Sequence, residues 1–175
     1  MNRLRQALAA LALAALALAA FAAVPPLAAQ AAAPFSLVDA LGRRVAFEKA
    51  PTRIVMTNKA VIMIADAAYL FPAAPARIAA MGNTKQGKYS FAADYDPSFA
   101  SKVALDNQAG PEQIAAANPD AVLLKSSLAG GLGKSIEALG IPVVYLDLET
   151  PAQYERDFLI LGALFRDEAR ARELI

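Results

Sequence analysis

Apolar positions fall into three regimes along the chain. From Ala7 to Val24 they run unbroken, rich in Ala and Leu, behind Asn2-Arg3-Leu4-Arg5 and ahead of Pro25-Pro26. From Phe35 to Asp147, short apolar runs alternate with helix-like stretches. From Pro151 onward one apolar face repeats at helical spacing, with Tyr154, Phe158, Leu161 and Phe165 separated by 4, 3 and 4 residues.

The middle regime predicts a sequence of short elements. Residues 35–38 and 45–47 flank Asp39-Ala40-Leu41-Gly42-Arg43 and read as a β-hairpin. Strands are expected at 53–56, 77–81, 102–105, 121–125 and 141–146. Helices are expected at 60–70, from Pro111 to about Ala117, and at 134–139 before Gly140. Residues 83–101 show no period and are expected to form an irregular loop, with Asp94 and Asp96 solvated on it. Strands that are apolar on both faces and alternate with helices imply an α/β fold, a parallel sheet with helices on either side. In such a sheet the loops at the carboxyl ends of the strands form the binding edge. Those loops are Thr57-Asn58-Lys59, Gly82 through Tyr89, Asp106-Asn107 and Ser126-Ser127.

The first regime is expected to be a cleaved signal peptide of residues 1–31. Its basic start, its apolar run and Ala29-Gln30-Ala31 match what a signal peptidase reads. A membrane anchor is the alternative. Eighteen apolar residues reach the lower limit of spanning length, but most are Ala and no basic flank follows. Removing that segment takes Arg3 and Arg5 from 17 Lys and Arg, leaving 15 against 16 Asp and Glu. A balance so near neutral offers nothing to nucleic acid or an anionic membrane. The chain has no Cys and no His, so disulfides, the commonest metal ligand and the commonest general base are all missing.

Several chemistries fail on the residues. Gly131-Leu132-Gly133-Lys134-Ser135 resembles the end of a phosphate-binding loop, but Leu128 stands where the leading Gly is needed. No serine-hydrolase motif is present. Asp94 and Asp96 are too solvated in this reading to serve as a catalytic pair, and Asp, Glu and Tyr alone make a poor transition-metal set. What remains is a binding edge on which Lys59, Lys85 and Lys88 gather with Tyr89 and Tyr95. Such a set would suit an anionic or flat chelated ligand, and fits ordinary solvated loop charge equally well.

At the motif level the chain resembles the Fe/B12-type periplasmic binding proteins of ABC transporters. Asp39-x-x-Gly42-Arg43-Arg44-Val45 followed by Pro51-Thr52-Arg53-Ile54-Val55 resembles their start. Residues 110–124 resemble their helix, "x-Pro-Asp" and strand unit, 139–147 the next strand, and 161–165 with 171–174 the helix between lobes. The resemblance implies an N-terminal ligand-binding lobe at 32–150 and a truncated interlobe helix at 151–175, with a second lobe absent. It implies no enzymatic activity, no cofactor and no protein-held metal. The ligand would be a preformed complex such as a ferric siderophore, haem, cobalamin or an oxyanion, and the partner an inner-membrane permease. The ligand loops correspond to Asn58 and Lys59, to Asn83, Thr84, Lys85 and Lys88 with Tyr89 beside them, and to Asp106 and Asn107. Asp106 stands where the cobalamin binder has an aromatic residue, which weakens cobalamin as ligand. Glu112 matches an acidic residue that docks into the permease, although a carboxylate in a first helical turn is favoured by the helix dipole anyway. A sensor or interaction lobe without transport, exported or membrane-tethered, is the competing expectation. With its partner lobe missing, the long helix is expected to expose Phe158, Leu164 and Leu174.

Overall fold

The computed structural model describes residues 34–175; the expected signal peptide lies outside the described residues. Five strands form a parallel sheet: β3 (Ile54–Met56), β4 (Ile78–Met81), β5 (Val103–Ala104), β6 (Ala121–Lys125) and β7 (Val143–Leu146). Their spatial order is β5-β4-β3-β6-β7, so the chain starts at the centre, works out to one edge, then crosses back to build the other side. The antiparallel hairpin β1 (Phe35–Val38) and β2 (Arg44–Phe47) forms as expected, in register Phe35↔Phe47.

The strands are apolar on both faces because both faces are covered. Ile54, Met56, Leu123, Val144 and Leu146 face α1 (Val61–Ala68), the hairpin and the C-terminal helices. Val55, Val122, Leu124, Val143 and Tyr145 face the other way, with Ile114 of α4 (Pro111–Ala116) and Ile136 of α5 (Lys134–Glu137). Before α4 come two short helices, α2 (Ala74–Arg77), which the sequence reading missed, and α3 (Phe91–Tyr95).

The strand register is held from the amino ends. The Asp120 carboxylate, just before β6, accepts from Thr52 N at 2.8 Å and Arg53 N at 2.9 Å, just before β3. Arg53 reaches back to the carbonyls of Asn118 and Ala117 at 2.9 and 2.7 Å. Two motifs that the sequence reading noted separately are therefore halves of one clamp. The Asp39 motif is likewise structural. Buried Asp39 accepts from Leu41 N, Arg43 N and the Arg43 guanidinium, while Arg43 bonds Val143 O at 2.9 Å and ion-pairs Glu137. This ties the hairpin to edge strand β7.

At the C-terminus, α6 (Pro151–Phe165) starts at a Thr150–Gln153 capping box and ends at Arg166 in a left-handed conformation, φ 60°. It runs through Gly162, where a Cβ would come within 2.6 Å of the Ala171 Cβ of α7 (Glu168–Leu174). Gly162 is the close-packing point of the two helices. Buried Asp157 accepts from Asp147 N and Leu148 N at 2.6 and 2.8 Å, joining α6 to the end of β7. The expectation of an exposed helix is overturned at two of its three positions. Phe158 and Leu164 are buried against the sheet, and Leu174 is half-buried; the large apolar side chains left open here are Leu159 and Ile175.

Segment 83–101 also departs from expectation. Asp96 is not solvated but buried, accepting from Tyr69 Oη at 2.8 Å and Ser98 Oγ at 2.7 Å, with Lys102 Nζ at 3.0 Å. Burial opposes its ionisation, yet hydrogen bonds from Ser98, Tyr69 and Lys102 win and hold its carboxyl below the ordinary 3.8. A depressed carboxyl contributes stability that is present above its unfolded value and lost as pH falls through the folded one. Asp96→Asn should therefore destabilise the chain by about 3–5 kcal/mol at pH 7, since Lys102 loses its buried partner. The gap to wild type should narrow as pH drops below 3.8. Urea melts from pH 7 downward would check this, and a pH-independent gap would contradict the assignment.

Candidate ligand-binding edge

All five parallel strands present their carboxyl ends to one edge. The loop after β3 begins Thr57-Asn58-Lys59-Ala60, with Asn58 and Ala60 at φ 70° and 55°. Thr57 is buried and donates to Asp106 O at 3.0 Å, and Asn58 Nδ2 donates to Ala109 O at 3.1 Å. Asn107 Oδ1 accepts from Asn83 N at 2.8 Å, Asn83 Oδ1 from Lys85 N at 2.9 Å, and Asp106 Oδ1 from Gln108 N at 2.7 Å. The loops after β3, β4 and β5 are thus sewn together.

Gly82 makes this possible. A Cβ there would lie 2.8 Å from Asn107 Oδ1 and 3.0 Å from Thr57 Oγ1, so any side chain would push the three loops apart. Beyond it, Gln86 and Tyr89 bond each other across a tight turn whose Gly87 sits at φ 62°. That turn projects Lys85, Lys88 and Tyr89 into solvent, with Lys88 Nζ 5.2 Å from the Tyr89 ring centre. A cavity of about 340 Å³ opens beside Asn83, Thr84 and Lys85, backed by Phe99 and Val103.

The structure brings Asn58, Asn83, Asp106 and Asn107 into one network, with Lys59 exposed next to it. Among the described residues, no carboxylate pairs with Lys59, Lys85 or Lys88. Thr84 differs from its neighbours: it is buried, and its hydroxyl bonds Ser90 Oγ at 2.9 Å. Glu112 is exposed in the first turn of α4, directly after the Asp106–Ala109 loop, so it flanks this edge. No group of three or more acidic side chains among the described residues is arranged to hold a metal ion.

On the far half of the edge, sequence reasoning named only Ser126-Ser127 and missed their charged neighbours. Lys125, read as the end of an apolar strand, is buried at the carboxyl end of β6, its Nζ 2.6 Å from Glu149 Oε1 without hydrogen-bond alignment. Next to it, Ser126 donates to Asp147 Oδ1, and Arg156 donates to Asp147 Oδ2 at 2.7 Å. Burial opposes ionisation of Asp147, but these bonds prevail and hold its carboxyl below the ordinary range. The available signal was a lone charge closing the apolar run 121–124. The Gly131-Leu132-Gly133 stretch is a matter of packing. A Cβ on Gly133 would collide with Tyr145 Oη, and Lys134 is exposed.

No protein-family model and no curated protein matches the sequence. Solved structures do match in fold. A TroA-like periplasmic binding protein FepB from Veillonella parvula superposes with TM-score 0.63 at 23% identity, covering 79% of this chain and 44% of that one. An ABC-type Fe3+-hydroxamate transport system protein from Saccharomonospora viridis gives 0.59 at 21%, covering 81% and 52%. The siderophore-binding protein BauB, solved with acinetobactin and ferric iron, gives 0.53 at 19%, covering 80% and 48%. The chain spans about half the length of the solved chains it matches, and residues 34–175 have the fold of that half of a TroA-like periplasmic binding protein.

Proposed function

We propose that this chain belongs to a solute-binding subunit of an ABC importer, exported to the periplasm, that captures a chelated metal complex such as a ferric siderophore and delivers it to the permease. It acts by binding, not by catalysis. In this reading residues 1–31 are a signal peptide, 32–150 a ligand-binding lobe, and 151–175 the helix leading towards a second lobe. The observation that carries it is the rigid edge of Asn58, Asn83, Asp106 and Asn107, flanked by unpaired Lys59, Lys85 and Lys88, on a fold shared with iron-complex binders. A preformed chelate brings its own metal ligands, so a protein without His or Cys can still take it. Cationic side chains beside an exposed Tyr89 suit an anionic, partly aromatic chelate.

Titrating the chain with ferric complexes of similar size but different charge should favour the anionic ones. Replacing Lys85 and Lys88 together by Ala should weaken that binding by about 1–3 kcal/mol, the scale of charge-assisted hydrogen bonds. Superimposable isotherms for wild type and variant would return both lysines to the solvent.

Glu112 is the proposed permease contact. Glu112→Gln keeps size and helix propensity and removes charge, so stability should change by no more than about 0.3–1 kcal/mol. Ligand affinity should hold, while transport and stimulation of the importer's ATPase should fall. Normal transport by the variant would leave Glu112 as a dipole-complementing residue only.

A further inference from the structure

Asp66 is the charge that the fold leaves unexplained. It sits in the last turn of α1, where the helix dipole disfavours an acid. Its Oδ1 is sealed from solvent with no hydrogen-bond partner, and no basic group among the described residues pairs with it. Burial pushes its carboxyl above the ordinary value. Asp66 as a residue is half-buried, and the fully buried acids contrast with it. Asp39 is held by Arg43, Asp96 by Tyr69 and Lys102, and Asp157 by two backbone N–H groups and Arg156.

Asp66 is also the one charged residue lining two open cavities, of about 360 and 180 Å³, that share Asp66 and Phe91 in their walls. The remaining walls of the larger cavity are aromatic and aliphatic, with Tyr154 and Phe158 of α6, while the smaller adds Ile62, Thr84, Gln86 and Tyr89. A carboxylate without a counter-ion, in cavities also lined by aromatic side chains, is suited to a positive charge with an apolar tail. A neutral apolar occupant would leave the acid uncompensated, and an anion would be repelled.

We propose that this groove between α1, α3 and α6 binds a small organic cation, an alkylammonium or guanidinium with an apolar tail, and that Asp66 is its counter-ion. The smaller cavity shares Thr84 and Tyr89 with the ligand edge, but the proposal does not rest on that reading. The ammonium N–H donates to the carboxylate, the charge lies against the rings, and the tail fills the larger cavity beside Leu70 and Phe158.

Benzylammonium and benzyl alcohol have nearly the same shape and differ in charge. Both can be titrated into the whole chain while amide NMR shifts of residues 62–70 and 86–91 are followed. The ammonium should bind at least about tenfold more tightly than the alcohol, roughly one charge-assisted hydrogen bond. Asp66→Asn should bring the ammonium to the level of the alcohol. Equal affinities, no saturable ammonium binding, or a preference that survives Asp66→Asn would each overturn the assignment. If that variant does not fold, the two-probe comparison on the unaltered chain decides the question.

Discussion

Asp120 holds together the two strands on which the rest of the sheet is built. β3 and β6 are neighbours in space but separated by two intervening strands in sequence, and the direction of chain progress reverses between them. Pairing strands so distant in sequence incurs a loop-closure cost before any contact repays it. Asp120 receives both backbone N–H groups that precede β3, and Arg53 answers to the carbonyls that end α4, so the register Ile54↔Ala121 is fixed on both sides. A slip of one residue would turn Val55 and Val122 to the wrong face. With the amino ends fixed, the carboxyl ends emerge in a defined order, and the edge loops meet where Gly82 leaves room for them.

The same economy runs through the other acids. Asp39, Asp96 and Asp157 are buried because each is fully employed in holding a segment that has no ladder of its own: a hairpin turn, an irregular loop, a strand end. Buried charge is tolerated only with such compensation. Against that background Asp66 stands out, its Oδ1 sealed from solvent without a hydrogen-bond partner.

The parallel sheet, the hairpin, the long final helix and the loops at the carboxyl edge of the sheet were legible because period and turn residues are local properties. Val55 flanked by Ile54 and Met56 announces a strand covered on both faces. What escaped depends on partners distant in sequence. Nothing near Asp96 reveals that Tyr69 and Lys102 will enclose it, and polar, aperiodic surroundings made a loop with solvated acids the natural reading. Phe158 and Leu164 were expected to be open on the premise that their cover was missing, whereas the sheet itself covers them. Gly82 looked like a strand terminator; its real constraint, the approach of Asn107 and Thr57, exists only in three dimensions. Lys125 was absorbed into an apolar run because four of its five residues are apolar.

The bond between Asp157 and the end of β7 has a mechanical consequence. The carboxylate grips two successive amides, and the second belongs to Leu148, buried and at φ 54°, a posture costly for a branched side chain. Helix α6 cannot tilt or slide independently of that corner without stranding a buried anion or releasing Leu148 from its strained conformation. Force applied along the helix is therefore delivered to Asp147, which Arg156 also ties to the helix, and through Ser126 to the neighbouring strand end. The C-terminal helix is a lever whose fulcrum lies at the carboxyl edge of the sheet.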